Sequence, residues 1–151
     1  MAQNNGILWA VPTELFPASC RLHGGHIKER CHHITLGMGP LTPLWERALG
    51  MEFVAQIVED TWSDSIGVQA YEVKLPDRIL RFVKRTSEVQ QLGNPPLHLT
   101  LFTKEGVGAF KSNVMLAGRH NRALAPLRTL SMRVAYCPES EMDNQPSFRR
   151  I

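Results

Sequence analysis

Apolar residues along this chain fall into short runs, most of them bounded by glycine, proline or a polar cluster. That is the signature of strands rather than of long helices. Residues 6–11 (GILWAV) predict a first strand. Residues 12–30 carry two prolines and a Gly24-Gly25 pair, which is turn and loop chemistry. The stretch CHHITLGM (31–38), closed by Gly37 and Gly39, predicts a second strand. One or two helical turns fit residues 39–50, entered at Thr42-Pro43 and stopped at Gly50. Residues 51–75 predict a hairpin with SDSIG as its turn. Ile79, Leu80, Val83, Val89 and Leu92 suit one helix starting near Asp77 and ending at Gly93. NPPLHLTLFT predicts a strand, KEGVGAFKSN a glycine-containing loop, and LRTLSMRVAYCP a last strand. The polar residues 138–151 predict a flexible tail.

Two of these strands contain nearly the same phrase, His33-Ile34-Thr35-Leu36 and His98-Leu99-Thr100-Leu101. Residues two apart on a strand share a face. Each phrase therefore presents an imidazole beside a hydroxyl, with apolar residues on the other side. Composition alone predicts about 0.04 such phrases in a chain of this make-up, so coincidence is a poor account of two.

In-line displacement at phosphorus needs a base on the incoming oxygen and an acid on the departing one. Histidine serves either role near neutral pH. The non-bridging oxygens need fixed donors, which Thr35 and Thr100 supply. Two strands of this kind make a cradle for one phosphate.

The two motifs resemble those of the 2H phosphoesterase superfamily, named for its paired His-x-Thr/Ser motifs. The stretch 98–113, HLTLFTKEGVGAFKSN, is similar to the cyclic phosphodiesterase domain of fungal and plant tRNA ligases. There the second motif runs into a Gly-Val loop ending in Ser-Asn; this loop lacks the central proline. The resemblance implies an α+β, two-lobed fold with two antiparallel sheets flanking a central cleft and few short helices. It implies metal-independent hydrolysis of a 2′,3′-cyclic phosphate or a 2′-linked nucleotide phosphodiester, without cofactor. His33 and His98 would be acid and base, with Thr35 and Thr100 on the phosphate. Lys104, Lys111, Ser112 and Asn113, after the second motif, are candidate substrate contacts. Some members encoded by phages and viruses degrade cyclic oligonucleotide messengers of immune signalling, which is the alternative substrate. A non-catalytic module that sequesters a nucleotide is another.

The bulk properties fit one domain spanning 1–151. The chain has 151 residues, 43% hydrophobic and 21% charged, with a net charge of +3 and a pI near 9.0. That charge suits an anionic ligand without by itself implying nucleic acid. Cys20, Cys31 and Cys137 are odd in number and scattered, so a reducing, cytoplasmic setting is expected. No signal-peptide pattern or membrane-spanning run is present, and a monomer without protein partners is expected.

Several other side chains compete for a role. His23, His26, Cys31, His32 and His33 invite a zinc reading, but their spacing fits no standard structural site. His32 should point away from His33 and pack elsewhere. His23, His26, Lys28 and Arg30 read as a solvated loop that could also line a nucleotide pocket. Trp45, Phe102 and Phe110 are the aromatics to watch for base stacking, although core packing suits each of them.

Overall fold

The computed structural model describes residues 5–119 and 125–150. Seven strands form in chain order: β1 (Asn5–Pro12), β2 (Ile27–Glu29), β3 (Ile34–Pro40), β4 (Glu52–Ser63), β5 (Val68–Lys74), β6 (His98–Lys104) and β7 (Arg128–Pro138). The helices are single turns: α1 (Pro43–Glu46), α2 (Asp77–Leu80), α3 (Ser87–Gln91) and α4 (Lys111–Met115), with a 3-10 helix at Glu139–Asn144.

The strands make one sheet in the order β2-β6-β3-β1-β7-β4-β5, and β5 also pairs with β6. That last pairing closes six strands into a barrel, with β2 appended to β6. All the described pairings between strands are antiparallel. The α+β class with few short helices is as expected. Hydrogen bonding runs through a single continuous sheet, where two separate sheets were expected.

Alternation on each strand produces the core. Leu8 and Ala10, Ile34 and Leu36, Leu99 and Leu101, Ala55 and Ile57, Tyr71 and Val73, and Met132 and Val134 all belong to one buried cluster. The residues between them on β1, β3 and β6 point outward, and there the chemistry sits. Ile7 and Trp9 belong to a separate outer cluster with Cys137.

Local signals explain most element ends. Thr42 Oγ1 accepts from Trp45 N–H at the start of α1, and Gly50 takes a positive φ after it. Ser63 holds the β4–β5 turn, its carbonyl accepting from Gly67 N–H at 2.7 Å.

Four segments differ from the sequence expectation. Residues 27–29, expected as loop, form β2 along β6. The helix expected over 77–92 is two turns separated by residues 81–86. A tertiary bond interrupts it: Lys84 N–H donates to Leu36 O at 2.9 Å. Thr86 then caps α3, its hydroxyl accepting from Val89 N–H. Part of the KEGVGAFKSN loop is helical, as α4. The segment expected to be a flexible tail returns to the barrel: Phe148 N–H donates to Cys31 O at 2.9 Å, and Phe148 O accepts from Phe16 N–H at 2.8 Å. Among the described residues no helix is long and apolar enough to cross a membrane.

Candidate active site

The two phrases meet. Ile34 pairs with Leu99, which lays β3 and β6 side by side and antiparallel. The order His-x-Thr therefore runs in opposite senses on neighbouring strands. A cavity of about 540 Å³ lies over this part of the barrel wall, lined by His33, Thr35, His98 and Thr100. Trp9 faces Thr35 across the β1–β3 pairing, and its ring stands 4.4 Å from that of His33, centroid to centroid.

The first motif reaches β3 through a kink. Cys31 adopts a positive φ of 55°, with its N–H donating to Thr100 O. The kink breaks strand alternation, so His32 does not point away from His33. Their rings stack at 4.6 Å, with Nδ1 of one hydrogen-bonded to Nδ1 of the other. Both line the cavity. His33 Nε2 lies 3.1 Å from Thr35 Oγ1.

His98 is tied down differently. Its Nδ1 sits 3.1 Å from the Pro96 carbonyl. A carbonyl only accepts, so Nδ1 carries the proton and Nε2 is the acceptor of the neutral ring. Thr100 Oγ1 is 2.8 Å from Ser112 Oγ, a bond that orients the threonine hydroxyl.

Burial dominates the electrostatics of the imidazoles. It pushes His98 down to about 4, helped by the Arg85 guanidinium and opposed by the Pro96 carbonyl. His32 is also held at about 4, by burial and then by Arg30 and Lys28. His33 lies well below its ordinary value, through burial first and then His32, His98 and Arg30. All three rings are neutral at pH 7 in the free protein.

The rim is basic. Lys28, Arg30, Lys84 and Arg85 line the cavity, against Glu29 and Glu88. Glu29 is already paired with Arg149, at 3.2 Å. Arg85 donates to Pro95 O at 2.7 Å, and Arg30 donates to Thr103 Oγ1 at 3.1 Å. Both guanidiniums are thereby held in place rather than free in solvent. Such a site suits an anion.

The structure treats the expected substrate contacts unequally. Asn113 lines the cavity. Ser112 is fully buried and supports Thr100 from behind. Lys104 lies outside the lining, 3.4 Å from an Asp64 carboxylate oxygen, and Lys111 is exposed outside it. Among the watched aromatics Phe110 is at the cavity, 46% exposed, whereas Trp45 and Phe102 are buried in the core. Of the four polar residues before the first motif, Lys28 and Arg30 reach the cavity and His23 and His26 do not. The His/Cys set weighed for zinc is dispersed: His23 contacts Asp64, and the Cys31 thiol donates to Leu101 O in the core. Among the described residues no three His, Cys, Asp or Glu side chains are grouped to hold a metal ion.

Sequence reasoning missed Trp9, Lys84 and Arg85. Trp9 was visible as the outward position between Leu8 and Ala10. Lys84 and Arg85 were hidden inside the expected long helix, although Thr86-Ser87-Glu88 is a helix-start signal that splits it.

Comparison of the chain with family models, with curated proteins and with solved structures finds no match.

Proposed function

We propose that this protein is a metal-independent phosphodiesterase of the 2H type, acting on a 2′,3′-cyclic phosphate or a 2′-linked nucleotide phosphodiester. One observation carries the reading: two His-x-Thr motifs, 65 residues apart in the chain, sit on paired strands at the floor of one basic cavity. In this reading β3 and β6 are the motif strands of a two-lobed arrangement, joined edge to edge.

The hydrogen bonding supports a division of roles. His98, with its proton held on Nδ1 by the Pro96 carbonyl, offers Nε2 as general base to a water molecule. The activated water attacks phosphorus and the bond to the departing ribose oxygen breaks. His33, protonated, gives its proton to that oxygen. The product is a phosphomonoester and a free ribose hydroxyl, and solvent resets the two rings. Thr35 and Thr100 donate to the non-bridging oxygens, with Thr100 aimed by Ser112. Arg85 and Lys84 balance the phosphate charge. Because burial and the Arg30 guanidinium hold His33 neutral in the free protein, its proton must arrive with the anion, whose charge raises the affinity of the ring for it.

The test is turnover in excess EDTA with 2′,3′-cyclic mononucleotides, an RNA ending in a 2′,3′-cyclic phosphate, and 2′–5′ and 3′–5′ cyclic oligonucleotides. Cleavage should survive EDTA. His33→Ala and His98→Ala should each lose about 10²- to 10⁴-fold in kcat/KM. Cleavage abolished by EDTA, or unimpaired in either variant, rejects the mechanism. Tight nucleotide binding without turnover replaces it with sequestration.

A further inference from the structure

Beside the cavity lies a second groove of about 520 Å³, lined by His26, Lys28, Arg30, Thr103 and Lys104 with the 105–108 loop. Lys28 and Arg30 line both, so the two hollows share a wall. We propose that this groove binds a second phosphate, and that the substrate is therefore an oligonucleotide, linear or cyclic, rather than a mononucleotide. The inference rests on the phosphodiesterase reading and extends it.

Arg30 is the hinge of the argument. Its Nε donates to Thr103 Oγ1 at 3.1 Å, and one terminal nitrogen faces Val107 O at 3.5 Å. A guanidinium has five N–H donors. Three remain for a ligand, on a side chain already fixed between the two hollows. A fixed guanidinium fork is the arrangement that recognises phosphate.

Charge continues along the groove. Lys28 on β2 is exposed and makes no ion pair among the described residues. Lys104 closes the far side, with Asp64 taking part of its charge. Glu105 is the one carboxylate in the lining. Cations thus run from Lys84 and Arg85, past the two motif histidines, to Arg30, Lys28 and Lys104. A mononucleotide carries one phosphate and has nothing to offer the far end of that row. A strand or ring with a second phosphodiester has.

The experiment compares a 2′,3′-cyclic mononucleotide with a dinucleotide ending in the same cyclic phosphate, and with cyclic dinucleotides in 2′–5′ and 3′–5′ linkage. The native protein should favour a substrate with a second phosphate by about tenfold or more in kcat/KM, the scale of one added charge-assisted contact. Lys28→Gln and Lys104→Gln should each reduce that preference, and each should flatten the dependence of log kcat/KM on log salt for that substrate by roughly 0.7, the value for one phosphate contact on a single strand. Lys28 is exposed and unpaired, so its variant should keep the native thermal midpoint and still report if Lys104→Gln folds poorly. Which dinucleotide wins separates a linear end from a cyclic messenger, and either result supports the groove. Equal use of mononucleotide and dinucleotides, or a preference untouched by both variants, overturns the groove and leaves the phosphodiesterase reading standing. No cleavage of any substrate by the native protein overturns both.

Discussion

The imidazoles set two opposing demands at the level of single residues. The proposed catalysis by His33 and His98 needs one ring charged, whereas burial favours the neutral form of both. The kcat/KM profile reports groups of the free enzyme. Its optimum should therefore lie on the acid side of 6.5, with the kcat optimum at higher pH because the bound anion restores the proton. Coincident optima at or above pH 7 would contradict the role given to His33. Stability carries the same sign. His98 and His32 bind a proton near 4 when folded and near 6.5 when unfolded. The unfolded chain takes up protons that the native rings refuse, so stability is lost as pH falls from about 6.5 toward about 4. Each ring accounts for roughly 3 kcal/mol when the shift is fully expressed. Urea melts at pH 7 and pH 4.5 should differ less for His98→Asn than for the native chain. Sequence pattern made the four motif side chains legible because strand alternation is a local rule. It failed at His32, where the positive φ of Cys31 overrides alternation, and it could not tell that Lys104 lines a neighbouring groove rather than the motif cavity.

Among the elements, the join between β3 and the 81–86 segment holds the rim. Trp45 from α1 packs against Gly37 of β3, where an added Cβ would lie 2.6 Å from the Trp45 ring and 3.3 Å from Lys84 Cβ. Only a residue without a side chain lets the indole in, and the indole then donates to Phe82 O at 3.1 Å. Gly37→Ala should cost about 1–3 kcal/mol by overpacking, measured by urea denaturation, and should weaken phosphate binding through the displaced Lys84. Unchanged stability would mean that α1 moves freely. The hairpin, the α1 entry and six of the seven strands could be located from alternation and turn residues. The split of the 77–92 helix could not, because its cause is a hydrogen bond to Leu36, 48 residues away along the chain.

The molecule as a whole is held shut by segments distant in sequence. Phe148 bonds to Phe16 and Cys31 and packs against the core cluster, while Met142 and Gln145 line the cavity. Phe148→Ala should lower stability by about 2 kcal/mol and raise KM, since the same segment borders the site. A loss of stability with KM unchanged would separate the two roles. Closure of the barrel was illegible beforehand, because pairing between β5 and β6 depends on register across the whole sheet rather than on any local pattern.

The long-range pairing of β3 with β6 has a consequence for when the proposed site is assembled. The β4–β5 hairpin can zip early, from neighbours in sequence, whereas the β3–β6 contact must wait for a long excursion of the chain to be retrieved. Since the two histidines come together only at that late contact, recovery of turnover after dilution from urea should trail the return of bulk strand signal, and partly folded chains should be catalytically silent. On the phosphodiesterase reading, recovery of turnover then serves as a clock for a late step of folding.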